Sequence, residues 1–275
     1  MNSPAQVSTS LNEGLTAAGR DGHERILDWD GVINARDAGG LHASGGAVRR
    51  GALVRSDVLN GLTQDGVKAL TEHGVRTVID VRAADEIAHD WARYPLKDHP
   101  AVGYLNRSFT AGVETHMGDQ VRAVYRAAQS REEINRADLD IHRAGIAAIV
   151  AAIADAPSGG VLVHCHAGKD RTGMVIAVTL AAVGVSDDDI ADDYALTQLV
   201  LEPLIADWLE HMSHDPLEQQ RLRVLAEPRR EAMLDTLAHL RQRYGGAATY
   251  LLGAGVTGDQ LEQLRARLVD ARAGA

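Results

Sequence analysis

The chain has 275 residues, 45% of them hydrophobic and 24% charged, which is the balance of a folded globular protein rather than a disordered one. Lys and Arg total 28 against 38 Asp and Glu, and a net charge of −10 argues against nonspecific nucleic-acid binding, which needs a phosphate-neutralising surface. The single cysteine, Cys165, excludes an intramolecular disulfide framework and any multi-cysteine zinc or iron–sulfur site.

Residues 1–24 are polar, rich in Ser, Ala and Gly, and read as a loose tail ahead of one domain over 25–275. They lack the basic start and apolar run of a cleaved signal peptide. No stretch reaches the roughly 20 apolar residues that span a membrane. The expectation is therefore a cytoplasmic protein, or one exported without such a signal, with no integral membrane segment.

From Ile26 to Asn34 the pattern suggests a short strand-pair region, and Ala52–Ser56 a further strand. Thr63 is placed to cap a helix that runs to about His73 and ends at Gly74. Val75–Val81 is short and β-branched, hence a buried strand, and Val102–Phe109 is another candidate. Ile134–Ala156 carries apolar residues at helical spacing up to the stop at Pro157 and Gly159. Val161-Leu162-Val163 is a very short apolar strand, and Arg171–Val183 is helical. Ser186 with Asp189, and Thr257 with Gln260, mark two further helix starts. Strands alternating with helices predict an α/β fold, a central mixed sheet flanked by helices. Between about 199 and 243 the pattern is helical without a strand and is broken at Pro216 and Pro228, which suggests a helical lid or subdomain.

The chemistry is concentrated where the Val161–Val163 strand meets the Arg171 helix. The junction reads His164-Cys165-His166-Ala167-Gly168-Lys169-Asp170-Arg171-Thr172-Gly173. In an α/β sheet the carboxyl edge of the strands is where ligands bind. Loop N–H groups and a helix N-terminus form an anion cradle, and the same dipoles favour a thiolate over a thiol. A thiolate beside a guanidinium suits attack on a phosphate monoester. The loop residues His166, Ala167, Gly168 and Lys169 would bind the phosphoryl oxygens together with Arg171, whose planar fork matches them. Thr172 is placed to donate its hydroxyl to the sulfur as it leaves, and His164 to orient the loop. A metal site is not expected, because adjacent residues of a strand point to opposite faces and would separate His164, Cys165 and His166. Nor is a nucleotide-binding loop, since Asp170 follows Gly168-Lys169 where Ser or Thr is required.

The segment from His164 to Gly173 resembles the signature loop of the cysteine-dependent tyrosine phosphatases, in the form carried by the bacterial tyrosine/dual-specificity phosphatase family. Asn34-Ala35-Arg36-Asp37-Ala38-Gly39-Gly40 is similar to that family's N-terminal block. Arg50–Asp57, Val78–Arg82, and Tyr250-Leu251 with Gly255–Thr257 resemble its later blocks. The resemblance implies phosphomonoester hydrolysis through a phosphocysteine, with no cofactor and no metal. It implies a phosphotyrosine protein or a phosphoinositide as substrate, and phosphate- or vanadate-like anions as ligands of the loop. The general acid is left between two residues. No Trp-Pro-Asp occurs. Asp80, at the end of a strand, should project into the same sheet edge and is slightly favoured over Asp170, which lies inside the loop. Asp37, Asp57 and Arg55 read as structural. Three other readings stay open: an inositol phosphate phosphatase, a catalytically weak phospho-binding module and a rhodanese-like sulfurtransferase.

Overall fold

Eight short strands form two sheets in the computed structural model, which describes residues 24–88, 91–113, 118–212 and 214–271. They are β1 Arg36–Asp37, β2 His42–Ala43, β3 Gly46–Val48, β4 Leu53–Ser56, β5 Val75–Asp80, β6 Gly103–Asn106, β7 Gly160–His164 and β8 Val269–Ala271. The central sheet has the order β1-β4-β7-β5-β6. Its last four strands are parallel and β1 is antiparallel, so the sheet is mixed as expected. A small sheet, β2-β3-β8, lies apart from it.

Period-two alternation explains why such short strands suffice. Along β7, Val161 and Val163 enter one core while Leu162 enters another. Leu53 and Val54 of β4 split in the same way, as do Ile79 and Val78 of β5. All seven side chains are fully buried, each contributing about 1.5–3 kcal/mol. A strand buried on both faces reads as a continuous apolar run, and that is how these segments read in the sequence.

Eleven α-helices surround the sheets among the described residues: α1 Gln64–Glu72, α2 Ala84–Ala88, α3 Gly118–Ala127, α4 Arg131–Ile141, α5 Arg143–Asp155, α6 Asp170–Ala182, α7 Asp187–Met212, α8 Pro216–Ala226, α9 Arg230–Tyr244, α10 Ala247–Leu252 and α11 Gly258–Leu268. Thr63 caps α1 by accepting from the Gly66 N–H, and Gly74 follows with φ of 97°. Thr257 and Gln260 form a reciprocal capping box on α11. Pro216 stands in the first turn of α8, where its missing N–H costs nothing.

Three expectations change. Ile26–Asn34 contains turns and a single bridge, Ile26 to Arg36, and the strand begins only at Arg36. The helix expected over 134–156 is two helices, α4 and α5, meeting at His142. Its apolar periodicity runs through the junction because both helices face the same core. The region 199–243 is not uniform either. Leu201, Ile205, Leu209 and Ala226 form a small satellite cluster that touches Ala167 of the loop, whereas Met233, Leu237 and Leu240 of α9 belong to the main core. The expected tail over 1–24 falls, up to residue 23, outside the described residues. Among the described residues, no helix is long and apolar enough to cross a membrane.

Candidate active site

β7 ends at His164, and Cys165 follows at the carboxyl edge of the central sheet, its side chain buried. The loop turns over the next four residues and α6 begins at Asp170. Gly168 makes the turn possible. Its φ is +67°, and a Cβ there would lie 2.4 Å from the Ser56 carbonyl oxygen. Gly173 lets the first turn of α6 seat on α7, because a Cβ would meet the Tyr194 ring at 2.8 Å.

Arg171 occupies the first turn of α6. Its two terminal nitrogens donate to the two carboxylate oxygens of Glu86 on α2, at 2.6 and 2.9 Å. That fork fixes the plane of the guanidinium beside the loop. The Arg171 hydrogen bonds, opposed by burial, hold Glu86 below its ordinary pKa. Lys169 donates to the Ala226 carbonyl at 2.7 Å, tying the loop to the end of α8. It also lies 3.5 Å from Asp170. Burial lowers the Lys169 pKa, opposed by Asp170 and in part by Cys165, whereas burial of Arg171 is outweighed by Glu86 and Cys165, which raise its pKa. Thr172 is fully buried, and its hydroxyl has no hydrogen-bond partner among the described residues, Cys165 included. His166 is exposed and Ala167 half-buried.

The two carboxylates considered for the acid have very different surroundings. Asp80 is fully buried. One of its oxygens accepts from the Arg82 backbone N–H at 3.0 Å, the other from the Arg82 guanidinium at 2.8 Å and from the Tyr104 hydroxyl at 3.1 Å. The expectation that it projects into the open sheet edge is therefore corrected. The strand end turns it inward, where Arg82 neutralises it. It stands 3.7 Å from Nε2 of His164. Burial holds His164 below its ordinary pKa, and its Nδ1 donates to the Cys165 carbonyl at 2.9 Å.

Asp170 is the first residue of α6, where the loop ends. Arg131 of α4 is 3.1 Å from Oδ1, which still has no hydrogen-bond partner. Burial would raise its pKa, but Arg131, Lys169 and Arg171 outweigh that and hold it below the usual carboxylate range.

Sequence reasoning missed a polar face on α4 and at its C-cap. Arg131, Asn135, Asp138 and His142 are all buried at helical spacing, and that spacing was the available signal. Tyr125 donates to Asp138 at 2.5 Å and lies 2.9 Å from Nε2 of His142. Burial raises the Asp138 pKa to about 7, with Asp170 adding to it, while burial and then Arg171 lower His142 to about 4. A carboxyl raised on folding contributes stability that is present below the unfolded pKa and is lost as pH rises through about 7. Asp138→Asn should remove that loss. Melting temperatures across pH 5 to 8 should show the variant gaining on the wild type by a few degrees at the alkaline end. A pH-independent difference would mean that Asp138 does not titrate there.

A model of the tyrosine phosphatase family matches residues 27–270. A tyrosine-protein phosphatase of Nostoc commune is 30% identical over 230 residues, which cover 81% of this chain and 76% of that protein. The triple specificity protein phosphatase PtpB of Mycobacterium tuberculosis is 28% identical over 204 residues, 62% of this chain and 68% of its own length. A putative tyrosine-protein phosphatase of Cupriavidus necator is 30% identical over 174 residues, 61% of each chain. The match spans both the central sheet and the Cys165 loop, and the chain belongs to the tyrosine phosphatase family of hydrolases.

Proposed function

We propose that the chain hydrolyses phosphotyrosine in proteins through a phosphocysteine formed on Cys165, with phosphoserine and phosphoinositides as slower substrates. The observation that carries this reading is the placement of Cys165 and Arg171 at the two ends of one loop on the carboxyl edge of the sheet. In the first step the Cys165 sulfur bonds to phosphorus and the bond to the leaving oxygen breaks. Arg171 and the loop N–H groups hold the phosphoryl oxygens. Asp170 gives its proton to the leaving oxygen. Asp80 is buried against Arg82 and is not proposed for this role. In the second step water attacks phosphorus, passes a proton to Asp170, and the sulfur–phosphorus bond breaks. Asp170 is ionised in the free protein, but a bound phosphate dianion beside it raises its proton affinity. The cations and loop amides supply the charge stabilisation that a metal would supply elsewhere. The end of α8, joined to Lys169, would cover the loop.

Rates on a phosphotyrosine peptide, a phosphoserine peptide and a phosphoinositide test the substrate reading. The phosphotyrosine peptide should be fastest, vanadate should inhibit and EDTA should not. A phosphoinositide or inositol phosphate turned over faster than the peptide would assign the site to that class instead. Asp170→Asn should lose rate by about 10²-fold or more on poor leaving groups and much less on p-nitrophenyl phosphate. Equal losses on both would remove Asp170 from the acid role.

A further inference from the structure

We infer that Asn34 and Arg55, held in place by Asp193, are positioning residues that clamp the Cys165 loop with its N–H groups facing the anion site. This rests on the loop being the phosphate site proposed above.

Five successive loop carbonyls, from Cys165 to Lys169, each accept a hydrogen bond. The Cys165 carbonyl accepts from His164 Nδ1 at 2.9 Å and the His166 carbonyl from the Val58 N–H at 2.8 Å. The Ala167 carbonyl accepts from Asn34 Nδ2 at 2.8 Å. The Gly168 and Lys169 carbonyls accept from one Arg55 terminal nitrogen, at 2.7 and 3.4 Å. A trans peptide unit is planar, and its C=O and N–H point in opposite directions. Drawing a carbonyl toward the scaffold therefore turns the next N–H away from it. None of the N–H groups of His166, Ala167, Gly168 and Lys169 has an acceptor among the described residues. Four successive backbone donors of the loop are thus left without partners among the described residues, as an anion cradle requires.

The donors that do this are themselves fixed. Asp193 of α7 is buried and shared by three buried guanidinium groups, with Arg25 at 2.6 Å, Arg36 at 3.3 Å and Arg55 at 2.9 Å. Arg36 also donates to Oδ1 of Asn34 at 2.5 Å, which sets the amide so that Nδ2 points to Ala167. Asn34 is further held by its backbone N–H, which donates to Asp57 at 3.0 Å. One carboxylate for three guanidinium groups leaves net positive charge beneath the loop, whose long-range field favours an anion held on the loop's opposite, N–H face. The N-terminal blocks thus act on the reaction through the loop and touch no reacting atom.

Arg55→Lys keeps the charge opposite Asp193 but has no fork to reach Gly168 as well. Asn34→Ala removes the Ala167 donor. Inorganic phosphate is titrated calorimetrically into the full chain, wild type and each variant, well below each melting temperature. Turnover of p-nitrophenyl phosphate is measured beside it. Each variant should bind phosphate about tenfold more weakly, the cost of one buried hydrogen bond to a charged or polar partner. Because Arg55→Lys preserves the ion pair, it should melt near the wild type, so its weakened binding would not be a folding defect. Phosphate affinity equal to wild type in both variants would overturn the clamp. If instead the wild type binds phosphate, the variants bind it weakly and no phosphomonoester is hydrolysed, the clamp stands and the proposed activity fails.

Discussion

Cys165→Ser is expected to lower turnover of p-nitrophenyl phosphate by at least about 10⁴-fold, the scale on which losing a nucleophile is felt. A serine hydroxyl at this position is un-ionised at neutral pH and is a far weaker nucleophile than a thiolate. The loop would still fold, because its shape is set by the five carbonyl hydrogen bonds and by Gly168, none of which uses the sulfur. The variant should therefore melt near the wild-type temperature and still bind inorganic phosphate. Activity within tenfold of wild type would assign the nucleophile elsewhere.

Arg171→Lys should cost about 10²–10³-fold in kcat/KM, comparable to removing a preorganised oxyanion donor. The charge is kept, so a long-range electrostatic role alone would leave the rate largely intact. What is lost is the planar fork, which here spans both oxygens of Glu86 while facing the loop. Glu86→Gln should weaken the same orientation by a smaller factor. A Lys variant as active as the wild type would show that Arg171 acts by charge and not by geometry.

Much of this arrangement was legible in the sequence. The strand Val161–Val163, the spacing from Cys165 to Arg171 and the helix after it lie within one stretch of chain, so local pattern was enough to place them. The same held for Thr63, Gly74 and the Thr257–Gln260 capping box, where one short side chain decides a helix end. The missed features depend on partners distant in sequence. Asn34 meets Ala167 across 133 positions and Arg55 meets Asp193 across 138. No local periodicity shows that a segment read as strand is instead a loop whose side chains grip another loop. Asp80 was misplaced for a related reason. Strand geometry put it at the correct edge, but the direction of its carboxylate was decided by Arg82, two residues on, and by Tyr104 from β6. Asp138 lay inside a helical pattern that was read from its apolar residues alone. Its polar residues are buried because α3, α6 and α9 close over that side. The break at His142 left the hydrophobic periodicity intact and so gave no signal.

The central claim is that the phosphoryl group passes through sulfur. Rapid acid quenching of the wild-type protein during turnover of a radiolabelled phosphotyrosine peptide, followed by peptide mapping, tests it most directly. The account predicts label on the peptide that contains Cys165, and none on the corresponding peptide of Cys165→Ser. Turnover at full rate with no label at Cys165, or with label on another residue, would contradict it.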